Sequence, residues 1–162
     1  MSGDEKRERR PIAYSRAEQS YFIRPQHINA YGRLFGGQLL EWMDELAGVV
    51  ARRHASAEIT TACIDQAEFV GPAVLNDMVV LEARVTYVGR TSMEVRVDNF
   101  AEGLDGHRRP ITRGYFVMVA INEEGKAIPV PELILENKQQ EDEFEMGRKR
   151  YELRKMRKLE GY

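Results

Sequence analysis

The stretch PQHINAYGRLFGGQLLEWMDELAGVVARRH, from Pro25 to His54, decides the fold of this chain. It consists of a polar loop, a glycine pair and one long helix, predicted over residues 37–54. At 3.6 residues per turn the helix has one broad apolar face, made of Leu39, Leu40, Met43, Leu46, Ala47, Val50 and Ala51. A face of this width predicts a helix that is buried against a sheet.

Asp44 does not fit the pattern of this helix. Its side chain projects roughly 80–90° from the centre of the apolar face, on the border beside Gly37, Leu40, Gly48 and Ala51. A carboxylate in that position is either half solvated or held in a crevice for a chemical purpose, and the pattern alone leaves both interpretations open.

The glycine pair Gly36-Gly37 marks the predicted helix start. Glycine lets the backbone approach another group closely. The first turn of a helix has free N–H groups and the positive end of the helix dipole, which together favour developing negative charge.

Composition narrows the classes of function. The 162 residues suit one domain with a sizeable core, and a net charge of −2 argues against nucleic acid as a partner. No apolar run is long enough to span a membrane, and the lone Cys63 favours a reducing cytoplasm. Without such an apolar run, no membrane partner is predicted. The three histidines lack metal-ligand spacing, so no metal site is predicted either.

The rest of the chain predicts an α+β fold in which an antiparallel sheet wraps around one helix. Residues 1–13 are predicted to be a disordered charged leader, and residues 132–162 a mostly solvated, loosely packed charged helix. Strands are predicted at 14–24, 58–70, 78–88, 93–100 and 111–121, the last with a central position in the sheet. Strict alternation places Thr61, Cys63 and Asp65 on one side of their strand, and Tyr87 on the same side as Val85.

A tight connection, Gly89-Arg90-Thr91-Ser92, joins two of these strands. Its glycine exposes backbone N–H groups, and an arginine with two hydroxyls suits the phosphates of a nucleotide. A plain hairpin turn has the same residue types, so a purely structural interpretation stays open.

Several motifs occur together in order, and they identify a resemblance. They are Asn29-Ala30-Tyr31-Gly32 with Leu34-Phe35-Gly36-Gly37, Trp42-Met43-Asp44-Glu45, Thr61-Ala62, Phe69 with Pro72 and Asp77, Val88 to Met93, and Phe116 to Ala120. Over residues 20–131 the chain resembles the single-domain hotdog-fold acyl-CoA thioesterases of the acyl-CoA hydrolase family. The resemblance implies a hotdog domain over 14–131 with a helical extension over 132–162.

The resemblance also implies the site. In such enzymes paired subunits share each active site, so Asp44 of one subunit would face Asn29 of the other across the thioester, as general base or as nucleophile. Backbone N–H groups at Gly36 and Gly37 would hold the oxyanion, with Thr61 as an auxiliary hydrogen-bonding group. Asn29 could instead be a turn residue and Thr61 an ordinary strand residue.

The implied partners are acyl-CoA and further copies of the chain, as a homodimer and, in many members of the family, a trimer of dimers. CoA is part of the substrate, so no cofactor is expected, and the turn at Gly89, Arg90, Thr91 and Ser92 would contact the CoA nucleotide. The alternative is a non-catalytic acyl-CoA-binding regulatory protein on the same fold. A hotdog dehydratase is disfavoured because its catalytic histidine has no counterpart on the helix.

Overall fold

A five-stranded antiparallel sheet wraps around one long helix in the computed structural model, which describes residues 6–162. The helix, α1, comprises Gly36–Ala55. The strands of this sheet are β2 (Ala17–Phe22), β3 (Glu58–Phe69), β4 (Met78–Val88), β5 (Ser92–Glu102) and β6 (Arg108–Ile121). Two short strands, β1 (Arg9–Pro11) and β7 (Glu132–Ile134), form a separate sheet, and helix α2 (Lys138–Glu160) closes the chain. The predicted α+β hotdog fold is confirmed.

The order of strands in the main sheet is β2-β4-β5-β6-β3. β4, β5 and β6 follow one another as antiparallel neighbours, because tight turns connect them. β6 is paired on both sides, by β5 and β3, so it is not an edge strand, but the central position predicted for it belongs to β5. β2 and β3 are the two edges.

The core lies between α1 and the inner face of the sheet. The apolar face of α1 is buried as predicted, and Met43, Ala47, Val50 and Ala51 are fully enclosed. Met43 lies over Gly114 of β6, where an added Cβ would come within 3.0 Å of the Met43 Cε. Burial of a large apolar side chain contributes about 1.5–3 kcal/mol, so this interface fixes where α1 and Asp44 lie.

β3 does not alternate regularly. Its register against β6 shifts between Thr61 and Cys63, and again between Asp65 and Glu68. The first bulge leaves Thr61 on the α1 side but turns Asp65 to the opposite side, where α2 lies. The prediction that these residues share one side is therefore wrong. A bulge after Val85 moves Tyr87 to the α2 side in the same way.

The predicted disordered leader is wrong over the residues that the structure describes, while its residues 1–5 lie outside them. β1 pairs in parallel with β7, and a 3-10 turn at Ile12–Tyr14 buries Ile12 in the core. Arg10 explains part of this order, because its guanidinium donates to the carbonyls of Arg53 and His54 at the end of α1.

The predicted C-terminal helix is present, but it is not loosely packed. Glu94 of β5 has a fully buried side chain and pairs with Arg150 of α2 at 2.8 Å. Asp65 of β3 pairs with Arg154 at 3.1 Å. At Gly147 a Cβ would come within 2.6 Å of the Tyr87 Cβ, so only glycine allows α2 this close to the sheet. α2 thus covers the outer face of the sheet through buried ion pairs.

Candidate active site

The first turn of α1 is open to an incoming negative group. Phe35 precedes the helix, no side chain within residues 6–162 caps it, and its first turn contains no acid. The N–H groups of Gly36, Gly37 and Gln38 have no intrahelical partner, as in any first turn. The positive end of the helix dipole is therefore uncompensated there.

Gly37 lies against the ring of Phe35, the residue that precedes the helix. A Cβ at Gly37 would lie 2.5 Å from the Cε1 atom of the Phe35 ring. At Gly36 the nearest atoms, on the Phe69 ring, would be 3.6 Å away, which is ordinary contact. The half-exposed Phe35 and Phe69 rings thus flank the glycine pair, and the backbone between them stays accessible.

Asp44 is half-buried on α1, and Thr61 from the neighbouring edge strand reaches it. The Thr61 hydroxyl donates a hydrogen bond to Asp44 Oδ1 at 2.8 Å. Within residues 6–162, Asp44 has no ion-pair partner and its Oδ2 accepts no hydrogen bond. One carboxylate oxygen is therefore oriented and the other is free to meet a water or a carbonyl carbon. The structure brings these two predicted residues together.

Asn29 has a role inside its own loop. Its Oδ1 accepts hydrogen bonds from the backbone N–H groups of Tyr31 (2.9 Å) and Arg33 (3.2 Å). Asn29 therefore acts as a turn residue, one of its two predicted roles. Its Nδ2 group makes no hydrogen bond to any residue in 6–162. Asn29 also lines a crevice of about 360 Å³, together with Leu39, Phe69 and Pro72. Within residues 6–162, no hydrogen bond joins Asn29 to Asp44.

The turn Gly89-Arg90-Thr91-Ser92 has all four of its carbonyl oxygens occupied. The Ser92 carbonyl accepts from Gly89 N–H, the Thr91 carbonyl from Ala120 N–H, and the Arg90 carbonyl from Val130 N–H. The Gly89 carbonyl accepts from the Arg7 guanidinium at 2.7 Å. By contrast, the N–H groups of Arg90 and Thr91 donate to no residue in the described chain. The turn therefore has two backbone donors left for a ligand within the described chain, as an anion site requires.

Two histidines have definite structural roles. His27 Nδ1 accepts from the Arg24 backbone N–H at 3.0 Å, so the ring caps its own loop. His54, in the last turn of α1, is fully buried, and its Nε2–H donates to the Pro131 carbonyl at 2.9 Å. Burial lowers the pKa of His54, which favours the neutral ring.

Arg7 is the residue of this region that the sequence did not reveal. Its position in a run of mixed charge predicted disorder, and nothing in that run indicates a contact 82 residues away. In the part of the chain that the structure describes, no group of three or more His, Cys, Asp or Glu could hold a metal ion. No described helix is both long and apolar enough to cross a membrane.

Comparisons with known proteins show the family of this chain. The model of the thioesterase superfamily matches residues 31–105. The Bacillus subtilis protein YkhA, an uncharacterized acyl-CoA thioester hydrolase, is 37% identical over 117 residues, which make up 72% of this chain and 68% of that protein. The cytosolic acyl coenzyme A thioester hydrolase of Rattus norvegicus is 31% identical over 143 residues. That match covers 86% of this chain but only 38% of the rat protein, so the chain spans well under half the length of this relative.

Solved structures are similar over almost the whole chain. A hexameric acyl-CoA thioesterase superposes with a TM-score of 0.88 at 36% identity, covering 93% of this chain and 97% of the other. An acyl-CoA hydrolase from Staphylococcus aureus, in complexes with butyryl-CoA, CoA and CoA disulfide, gives a TM-score of 0.89 at 29% identity, with 94% and 93% covered. The fold, the open helix start and these relatives lead to the same conclusion. The chain belongs to the thioesterase superfamily, together with the acyl-CoA thioester hydrolases.

Proposed function

We propose that this chain hydrolyses the thioester of acyl-CoA to a free fatty acid and CoA. The observation that carries the proposal is the Thr61–Asp44 hydrogen bond of 2.8 Å, which orients one oxygen of an otherwise unpaired carboxylate. This carboxylate lies on the helix whose uncapped start can receive an oxyanion. A base and an oxyanion site on one element are what acyl transfer to water needs.

In the general-base route, Asp44 Oδ2 takes a proton from a water whose oxygen attacks the thioester carbonyl carbon. The tetrahedral intermediate expels the CoA thiolate, which receives that proton from the Asp44 carboxyl group. In the nucleophilic route, Asp44 itself attacks, expels CoA and forms a mixed anhydride that water then cleaves. If water cleaves the anhydride at the Asp44 carboxyl carbon, a single turnover in ¹⁸O-water places ¹⁸O in Asp44, which the general-base route cannot do.

The oxyanion would lie at the N–H groups of Gly36 and Gly37. Gly37 and Asp44 are two turns apart on the same face of α1, about 10 Å along the helix axis. Preorganised donors of this kind are worth about 3–4 kcal/mol each in acyl transfer.

A second subunit would complete the site with Asn29, whose Nδ2 is free of partners within residues 6–162. The open edge strand β3 supports pairing, since Ile64 is 45% exposed on it and an unpaired apolar edge invites another strand. We therefore propose a homodimer that assembles as a trimer of dimers, in line with the hexameric relative. A stable monomer in sedimentation equilibrium would exclude a shared site.

The turn Gly89-Arg90-Thr91-Ser92 would hold the phosphate-bearing end of CoA. Its outward N–H groups, two hydroxyls and the Arg90 guanidinium, which has no ion pair in the described chain, support this assignment. No cofactor is required. We also propose that the enzyme acts in the cytoplasm, because the name of the rat relative describes that protein as cytosolic.

The test is release of CoA from a panel of acyl-CoAs, followed with a thiol reagent. Wild-type protein should release CoA, and Asp44→Ala should not. Solved structures of the S. aureus enzyme include variants in which an aspartate, an asparagine and a threonine are each replaced by alanine, the three residue types proposed here. Equilibrium binding beside the assay separates the alternative, since a regulatory protein would bind acyl-CoA tightly without turnover.

A further inference from the structure

The N-terminal segment reaches the turn Gly89-Arg90-Thr91-Ser92 through one side chain. Arg7 Nη1 donates to the carbonyls of Gly89 at 2.7 Å, Arg90 at 3.2 Å and Val130 at 3.2 Å. Its Nη2 pairs with Glu132 at 2.9 Å. A planar guanidinium is suited to bridge several acceptors at once, which a lysine ammonium does less well.

These contacts decide which groups the turn presents to solvent. The Gly89 carbonyl is bound by Arg7 alone. Each of the other three carbonyls of the turn accepts a hydrogen bond from a backbone N–H group. Without Arg7, the Gly89 oxygen would be free to turn toward solvent, where it would repel an anion. With Arg7 in place, the Gly89 carbonyl stays bound inside the structure, and the Arg90 and Thr91 N–H groups are the unpartnered groups of the turn within the described chain.

The segment that carries Arg7 is itself fixed. Glu132 N–H donates to the Glu8 carbonyl at 2.8 Å, and β1 continues this pairing against β7. On the other side, the Tyr151 ring of α2 lies 3.8 Å from where a Cβ on Gly89 would be. The turn is therefore held between the two ends of the chain.

The charge around the turn favours an anion. Lys6, Arg7 and Arg90 line a groove of about 1000 Å³ with Glu8 and Glu132. Glu132 is paired with Arg7 and Glu8 with Arg10, so both acids are neutralised. Lys6 and Arg90 make no ion pair in the described chain and leave the groove positive.

From these contacts we infer that Arg7 is a positioning residue for substrate binding. It holds the turn in the conformation that accepts the phosphates of CoA, and it acts on affinity rather than on the chemical step. The inference rests on the proposed function for its substrate. It assigns to the N-terminal segment a part in recognising the nucleotide end of the thioester, some distance from the reacting carbonyl.

The experiment compares Arg7→Ala and Arg7→Lys with Arg9→Ala. Arg9 is exposed, lies two residues away and makes no side-chain hydrogen bond or ion pair within residues 6–162, so its loss removes the same charge from the same segment. Arg7→Ala should raise KM for acyl-CoA about tenfold, the value of one hydrogen bond to a charged group, with kcat within twofold. Arg7→Lys should give an intermediate KM, and Arg9→Ala should match wild type.

Two readouts separate positioning from general damage. With an acyl-N-acetylcysteamine thioester, which has no phosphate, Arg7→Ala should have the wild-type KM. Equilibrium titration with 3′,5′-ADP should show about tenfold weaker binding to Arg7→Ala, and this needs no turnover, so it holds even if the hydrolase assignment fails. An unchanged KM and nucleotide affinity in Arg7→Ala would overturn the inference. An equal KM rise with the phosphate-free substrate or in Arg9→Ala would overturn it as well.

Discussion

Thr61 and Asp44 come from different elements, yet the Thr61 hydroxyl lies 2.8 Å from Asp44 Oδ1. The bond orients the carboxylate and leaves Oδ2 for chemistry. If Asp44 is the base or nucleophile, Asp44→Ala and Asp44→Asn should each lower kcat by about 10²–10⁴, the usual contribution of a positioned base. KM and the melting temperature should stay near wild type, because the side chain is half-buried at the edge of the core. Turnover close to wild type in either variant would exclude the role.

The hydroxyl of Thr61 should matter more than its methyl group. Thr61→Ser keeps the donor and should retain most activity, whereas Thr61→Val keeps the shape and should lower kcat about tenfold, the value of one hydrogen bond to a charged group. Neither variant should lose buried contacts, because Thr61 is exposed in the single chain. Steady-state kinetics of the two variants decide the point, and equal activities would show that the bond is only structural.

His54 should make stability depend on pH. Burial lowers its pKa in the folded protein below the ordinary value of 6.5, so the unfolded chain binds a proton first as the pH falls. The contribution of His54 to stability is thus complete above about pH 6.5 and is lost as the pH falls through the lowered folded-state pKa. Urea unfolding at pH 7.5 and pH 5.5 should show a larger loss for wild type than for His54→Gln. Equal losses would contradict the burial of a neutral ring.

Gly147 should be required for the docking of α2. In an exposed helix position, glycine to alanine stabilises by about 1 kcal/mol. Here the new Cβ would meet the Tyr87 Cβ at 2.6 Å and Glu94 Oε1 at 3.0 Å, so Gly147→Ala should instead lower the free energy of unfolding by about 1–3 kcal/mol. The exposed Lys149→Ala on the same helix is the control and should be close to neutral. Stabilisation by Gly147→Ala would show that α2 is free to shift.

The elements of this fold were predictable because their signals are periodic. α1 extends one residue beyond its predicted range at each end, and its apolar face is the buried face. The bulge after Thr61 was not predictable, because an extra residue in a strand leaves no trace in the alternation of apolar and polar types. The docking of α2 was not predictable either. It depends on Glu94 and Asp65, whose arginine partners lie 56 and 89 residues away in the sequence.

The sequence pointed to candidate residue types for the site, but it gave little of their geometry. Asp44 stood out because a carboxylate at the border of an apolar helical face is unusual, and Thr61 was placed beside it only through the resemblance. Asn29 accepts two backbone bonds in its own loop, a role that the sequence offered as one of two. Its proposed relation to Asp44 would depend on a second subunit, and the pattern within one chain carries no information about that distance.

The extra residue in β3 gives this edge strand two separate duties. Thr61, before the bulge, faces the carboxylate on α1, and Asp65, after it, faces the arginines of α2. Deletion of Ala62 would restore regular alternation and exchange the sides of one half of the strand. Either the hydroxyl would leave Asp44 or the acid would leave Arg154. Substitutions along β3 can therefore change the contact with α1 without changing the contact with α2, or the reverse. A change in the length of β3 by a single residue cannot keep both contacts.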